Sequence, residues 1–225
     1  CALPIYSFMS WGWRIPFLLS IVIFGLGVYI RSSLPESAEF SKAEAEGKKA
    51  RMPVLDAIRQ HSKSVLLAMG LRVGESGGSY IFLAFALAYG KFIGVDNQVM
   101  LAGLMVSMIV ELVAMLIWGR LSDRFGRKPV YMFGAIGLVL VSFPFFWLID
   151  TKSPALIWLA FLLGNAVCHG AMIGTQPTLM GELFSTEVRY SGLALGHEVA
   201  SAFAGGLSPL IATALLAHYH ASWPI

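Results

Sequence analysis

Val99-Met100-Leu101-Ala102-Gly103-Leu104-Met105-Val106-Ser107-Met108-Ile109-Val110-Glu111-Leu112-Val113-Ala114-Met115-Leu116-Ile117-Trp118 is a run of twenty residues with a single ionisable side chain, Glu111. Wound as an α-helix, about twenty residues rise ~30 Å, the thickness of a bilayer's hydrocarbon core. Apolarity sustained over that length marks a membrane-spanning helix. Working outward, five more apolar blocks of similar length flank it, so the sequence predicts six spans: 14–31, 64–90, 97–119, 130–149, 154–177 and 190–217.

The composition agrees. Of the 225 residues 57% are apolar and 13% charged, with a mean hydropathy of +0.72; soluble domains carry roughly 45–50% apolar and about 25% charged residues. One soluble core cannot absorb that excess, and the fold class is an all-α membrane protein. The net charge of +3 does not point to nucleic acid, because the basic residues cluster between apolar blocks and no aromatic-basic module is present. Cys1 and Cys168 offer neither a disulfide framework nor metal-ligand spacing, and no cofactor motif is present. The chain starts at Cys1 without an initiator Met and without the basic and short apolar regions of a cleavable signal, so it is expected to be a piece of a longer protein.

The basic residues report topology. The polar stretch between the first two spans, the cap of the second and the loops after span three and before span six carry Arg31, Lys42, Lys48, Lys49, Arg51, Arg59, Lys63, Arg120, Arg124, Arg127, Lys128 and Arg189. The opposite side has Arg14, Lys91 and Lys152. By the positive-inside rule the first set is cytoplasmic and both chain ends face outward. An outward start is the second reason to expect a missing first half. The stretch 32–63, with Glu44-Ala45-Glu46-Gly47-Lys48-Lys49, reads as a hydrated cytoplasmic linker.

The loop Gly119-Arg120-Leu121-Ser122-Asp123-Arg124-Phe125-Gly126-Arg127-Lys128-Pro129 resembles the signature loop of the major facilitator superfamily nearly position by position. Physically, Gly119 and Gly126 permit a tight turn between spans, Pro129 suits the first turn of the next helix, and Asp123 can meet a positive helix N-terminus or an Arg. Leu34-Pro35-Glu36-Ser37, Trp11-Gly12-Trp13-Arg14-Ile15-Pro16-Phe17 and Gly181-Glu182-Leu183-Phe184-Ser185-Thr186-Glu187-Val188-Arg189-Tyr190-Ser191-Gly192 are similar to the metabolite:H⁺ symporter family within it, whose members carry shikimate, 2-oxoglutarate, citrate, proline or betaine. Tyr131 departs from the signature, standing where the family prefers an aliphatic residue.

That resemblance implies the C-terminal part of a major facilitator fold: residues 1–31 as the last helix of an N-terminal half, 32–63 as the linker, and 64–225 as a C-terminal transmembrane domain lacking its final helix. It implies a secondary active transporter in a bacterial inner membrane, not an enzyme. Its partners would be a small solute, protons, the lipid bilayer and the N-terminal half of the same transporter.

Ionisable side chains inside a span cost at least ~2.5–3.5 kcal/mol on insertion scales and by default mark a functional path. Here they are Arg72, Glu75, Glu111, His169, His197 and Glu198, all in spans two, three, five and six. The resemblance places those same spans on the central cavity. Arg72, Glu75, Ser76 and Ser79 recur at three- and four-residue spacing on one helical face. Arg72 either pairs with Glu75 or binds a solute carboxylate. Glu111 has no cation on its own helix, and because a charged carboxylate is costly there it is a candidate proton site; the alternative is a structural pair with Arg72 of the neighbouring span.

Asn165, His169, Met172 and Gln176 form a stripe on span five that either binds solute or joins helices. In span six, Glu198, Ser201, Gly205 and Ser208 share a face with His197 beside it, and Gly205-Gly206 with Pro209 predict a bend. Substrate-binding candidates are thus Arg72, Asn165, His169 and Gln176, and proton-coupling candidates are Glu111, Glu75, Glu198 and His197. The gating candidates, Gly119, Asp123, Arg124, Gly126, Arg127, Glu182 and Arg189, form with Glu187 an expected cytoplasmic charge network that breaks and reforms between states.

The function these features favour is proton-coupled symport of a small organic acid or zwitterion by alternating access. A non-transporting receptor or scaffold of the same fold is the first rival. A second is an intramembrane serine protease, because Gly74-Glu75-Ser76-Gly77 fits the short nucleophile motif of rhomboid proteases.

Overall fold

A computed structural model describes residues 10–33, 58–185 and 188–220. Linker residues 34–57, the motif Leu34-Pro35-Glu36-Ser37 and Glu187 therefore lie outside the described residues. The chain divides into two units, Cys1–Lys49 and Ala50–Ile225.

In the first unit a short 3₁₀ turn, Gly12–Arg14, leads into helix α1, Ile15–Ser33. Arg14 donates from Nη1 to the Ser10 carbonyl at 2.7 Å and lies 4.3 Å from the centroid of the Trp13 ring. Apart from Ser20 and its Arg31–Ser33 end the helix is apolar, and it is long enough to cross a membrane.

Among the described residues the second unit contains five further long helices, each close to its expected span. Helix α2 runs as Ser62–Tyr80, a π-helical segment Ile81–Phe85, and Ala86–Phe92. Asp96, whose side chain accepts from the Gln98 N–H at 2.9 Å, caps α3, Asn97–Phe125. Helix α4 is Arg127–Asp150, and α5 comprises Pro154–Phe161, a second π-helical segment Leu162–His169, and Gly170–Gly181. Helix α6 is Arg189–Tyr219. Among the described residues five of these six helices are long and apolar enough to cross a membrane, α2 being the one left out. Its polar residues are the reason, since Arg72, Glu75, Ser76 and Ser79 interrupt its apolar face.

One expectation about turns needs correction. Gly119 does not turn the chain, because α3 continues to Phe125, with Ser122 Oγ donating back to the Gly119 carbonyl at 2.7 Å. The reversal falls on Gly126 alone, whose φ of 93° lies in the left-handed region that favours glycine. Helix α6 runs unbroken through Gly205, Gly206 and Pro209. Irregular backbone lies instead in the two π-helical segments, a form that recurs at functional sites.

Small residues set the helix contacts. Along the α2/α6 seam a Cβ on Gly196 would stand 2.8 Å from Ala68 Cβ, and one on Gly205 2.9 Å from the Tyr80 ring. Helix α5 lies against both α3 and α4: a Cβ on Gly174 would stand 2.9 Å from the Met115 carbonyl oxygen, and one on Gly134 2.6 Å from that of Cys168. Such approaches give membrane helices packing energy that apolar side chains facing lipid cannot. At the end of the bundle away from Gly126, Phe82, Phe85, Phe145, Phe146 and Phe161 form a buried aromatic cluster, with Phe82 and Phe145 stacked at 4.3 Å. The π-helical segment of α2 supplies two of these rings.

Candidate functional site

Between the aromatic cluster and the Gly126 turn, polar side chains from four helices converge. His169, at the end of the π-helical segment in α5, places Nδ1 2.5 Å from Glu111 Oε1 of α3 and Nε2 2.8 Å from Glu75 Oε1 of α2. Glu75 Oε2 in turn accepts from Arg72 Nη1, one helical turn away, and from Ser76 Oγ at 3.2 Å. Arg72 Nε donates to Ser201 Oγ of α6 at 2.6 Å, and Arg72 Nη1 also donates to Gln176 Oε1 of α5 at 3.3 Å. The order along the chain of contacts is Arg72, Glu75, His169, Glu111.

The contacts impose a proton count. A neutral imidazole carries one N–H, yet both His169 nitrogens face carboxylate oxygens. Both contacts are hydrogen bonds only if the ring is an imidazolium or one of the two carboxyls is protonated. The trio therefore holds one proton beyond a neutral imidazole and two carboxylates. With Arg72 included, the four side chains then sum to zero charge, the arrangement a low-dielectric interior tolerates best.

One turn along α3 and α5 a second polar contact repeats the register: Asn165 Nδ2 donates to Ser107 Oγ at 2.9 Å, as His169 meets Glu111 four residues later on each helix. Asn165 is fully buried, and its Oδ1 has no hydrogen-bond partner among the described residues. Toward α4, Tyr131 OH donates to the Leu71 carbonyl at 2.6 Å, and Gln176 Nε2 reaches the same oxygen at 3.5 Å.

The structure thus brings together Arg72, Glu75, Glu111, His169 and Gln176, with Asn165 adjoining. His197 and Glu198 stand apart: they pair with each other at 3.0 Å, with side chains 40% and 77% exposed. From that face of α6 it is Ser201 that joins the cluster. Glu111 meets His169 and not Arg72, which is committed to Glu75. Tyr131 was visible in the sequence only as a departure from the signature; its buried hydroxyl on the Leu71 carbonyl is what the structure adds. Ser76 is fully buried and its hydroxyl points to Glu75, while His169 is occupied by the two carboxylates, so no Ser–His couple of a protease exists among the described residues.

At the Gly126 end, Arg127 pairs with Glu182 at the end of α5 and lies 4.0 Å from Asp123. These residues with Ser122, Pro129 and Leu183 line a cavity of about 650 Å³. Arg124 sits 5.5 Å from the Phe125 ring centroid. Arg189 opens α6, with its Cδ 3.9 Å from where a Cβ on Gly181 would stand. Among the described residues no group of His, Cys, Asp and Glu has metal-holding geometry.

Comparison with known proteins bears on what such a bundle belongs to. A sequence model of the family described as Major Facilitator Superfamily matches residues 2–223. The shikimate transporter of Escherichia coli (strain K12) is 37% identical over 96% of this chain and 50% of its own length. The inner membrane metabolite transport protein YhjE of the same organism is 31% identical over 95% of this chain and 50% of its own. The glycine betaine/proline/ectoine/pipecolic acid transporter OusA of Dickeya dadantii (strain 3937) is 31% identical over 93% of this chain and 44% of its own. The chain spans about half the length of these relatives. No solved structure matches.

Proposed function

The chain belongs to the Major Facilitator Superfamily and is a multi-pass membrane protein, and we propose that it is part of a proton-coupled symporter of a small organic acid or zwitterion working by alternating access. The relatives support transport of solutes of this class, since their names include shikimate, proline and glycine betaine. Their length, about twice the matched region, supports reading residues 1–31 as a helix of a preceding half, 32–63 as a linker and 64–225 as part of the second half. The bacterial relative YhjE supports an inner-membrane location.

The observation that carries the reading is the buried chain Arg72–Glu75–His169–Glu111. A cation able to hold a carboxylate and a carboxyl able to take a proton lie in one network, and a symporter needs both. Arg72 receives the solute's carboxylate, with Gln176 and Ser201 orienting its guanidinium. Glu111 takes the proton. His169, which both carboxylates engage, connects them, and Asn165 with Ser107 fixes α3 to α5 beside it. The Arg127–Glu182 pair with Asp123 is an element of the gate, made in this state and broken in the other.

The test is reconstitution of the full-length transporter containing these residues into proteoliposomes. An inward proton gradient should drive accumulation of labelled shikimate, proline or glycine betaine, and a protonophore should collapse it. Uptake no greater than in empty vesicles for all three would remove the reading.

A further inference from the structure

Helix α5 winds irregularly where it carries Asn165 and His169. In an α-helix the N–H of Gly170 would bond the carbonyl of Ala166, four residues back. At the end of the π-helical segment Leu162–His169 it bonds instead the carbonyls of Asn165 and Val167, passing over that of Ala166. Ala166 is 4% exposed, and its carbonyl accepts from Trp118 Nε1 of α3 at 3.3 Å. A backbone carbonyl inside a bilayer must find a donor, and the regular helical donor of this one points elsewhere. The indole lies against Gly170, where a Cβ would stand 3.6 Å from Trp118 Cδ1, and against Phe133 of α4, with ring centroids 5.2 Å apart.

A π-helical segment takes more residues per turn than an α-helix, so the residues beyond it are turned relative to a helix wound regularly from Phe161. One residue of regular helix is about 100° of rotation. Were the segment to rewind as α-helix, Cys168 would take the direction that His169 now has, and Val167 that of Cys168. The side chains fit the observed register. His169 meets Glu111 of α3, while Cys168 is seated on glycines of α4: a Cβ on Gly137 would stand 2.9 Å from Cys168 Sγ, and one on Gly134 2.6 Å from its carbonyl oxygen. The branched side chain of Val167 is larger than the thiol that fills this notch.

From this geometry, and resting on the transport reading above, we propose that Trp118 is a positioning residue of the site, its indole N–H holding the carbonyl that α5 has released and so keeping His169 turned to Glu111 and Glu75. Trp118 spends its N–H on the backbone of α5 and acts through His169. Without that N–H, the Ala166 carbonyl regains a donor most directly by recovering the Gly170 N–H, which is the regular winding. Loss of the bond therefore biases α5 toward the register in which Cys168 faces α3. Trp158 provides a matched control. Its Nε1 donates to the Val99 carbonyl at 3.2 Å and joins the same two helices, but it stands in the regular part of α5, Pro154–Phe161.

The native thiol reads the register. Purified full-length transporter in lipid nanodiscs is treated with a water-soluble methanethiosulfonate, and modification of the Cys168 peptide is timed by mass spectrometry. In wild type Cys168, 3% exposed, should react slowly. Trp118→Phe keeps a ring on Phe133 and removes the N–H; it should speed the reaction roughly three- to tenfold, the factor by which one hydrogen bond shifts an equilibrium. Trp158→Phe should leave the rate as in wild type. Uptake into proteoliposomes gives a second readout: Trp118→Phe should move the pH profile in the direction His169→Gln does, and the variant carrying both changes should be no worse than His169→Gln alone. A merely structural tryptophan would add its loss to that of the histidine. Fast modification of Cys168 in wild type, equal rates in wild type and Trp118→Phe, equal acceleration by Trp158→Phe, or additive losses of uptake overturn the positioning role. Absence of uptake in wild type overturns the transport reading instead, and the Cys168 rates still decide the register. Should Trp118→Phe fail to fold, Trp118→Met, flexible enough to fill the space without an N–H, is read in its place against the same outcomes.

Discussion

His169→Ala strands one carboxylate and not the other. Glu75 keeps Arg72 and Ser76, but Glu111, 9% exposed, loses the only hydrogen-bond partner it has among the described residues. Removing one member of a buried ion pair costs about 3–5 kcal/mol, most of it the unpaired charge left behind. Glu111→Gln alone gives up one charge-assisted bond, about 1.5–3 kcal/mol. In the double variant the space left by the imidazole remains but no charge is stranded, so the cost should fall short of the sum by roughly 1.5–3 kcal/mol. The assay is a double-mutant cycle on the full-length transporter in mixed micelles, using equilibrium unfolding read by tryptophan fluorescence. A control cycle pairs His169→Ala with Ser208→Ala, whose hydroxyl bonds the Ala204 carbonyl on its own helix and should add independently. If His169 and Glu111 also add to within ~0.5 kcal/mol, the contact between them carries no energy and the reasoning fails.

Three further outcomes follow from the packing and the ends of the bundle. Gly134→Ala puts a Cβ 2.6 Å from the backbone oxygen of Cys168, forcing α4 off α5 at a cost of about 1–3 kcal/mol, whereas Gly206→Ala meets nothing within 4 Å and should lose no stability; thermal unfolding of the two variants checks the contrast. Reversing Arg127 to Glu should abolish uptake, and adding Glu182→Arg should restore it, while each change moves stability by no more than ~1 kcal/mol because the pair is partly exposed. Tyr131→Phe removes the hydroxyl held on the Leu71 carbonyl, worth about 0.5–1.5 kcal/mol, and should weaken solute binding by roughly tenfold or less; a loss above about a hundredfold would mean that the tyrosine touches the solute itself.

Apolar blocks place the six helices found among the described residues, five of them long and apolar enough to cross a membrane, because lipid requires every backbone group to be satisfied within its own helix. Gly126 was legible as a turn for a related reason, since only its lack of Cβ admits the φ found there. Gly119 misled because a glycine at the end of an apolar run looks the same whether the helix stops or continues with polar side chains in water. Arg72–Glu75 followed from spacing on one helix. The Glu111–His169 contact did not, because pairing across helices depends on rotation, and the π-helical segment Leu162–His169 shifts the register of α5 in a way a regular helical repeat cannot express. Glu198 and Ser201 share a face by spacing, and only the packing of α6 along α2 selects Ser201 for Arg72.

The central claim is that Glu111 carries the coupled proton, and separating exchange from accumulation tests it most directly. In proteoliposomes containing the full-length transporter, Glu111→Gln should retain shikimate counterflow, which needs solute binding and alternating access alone, and should lose accumulation driven by an inward proton gradient. Accumulation at the wild-type level with its full proton dependence in that variant would contradict the account.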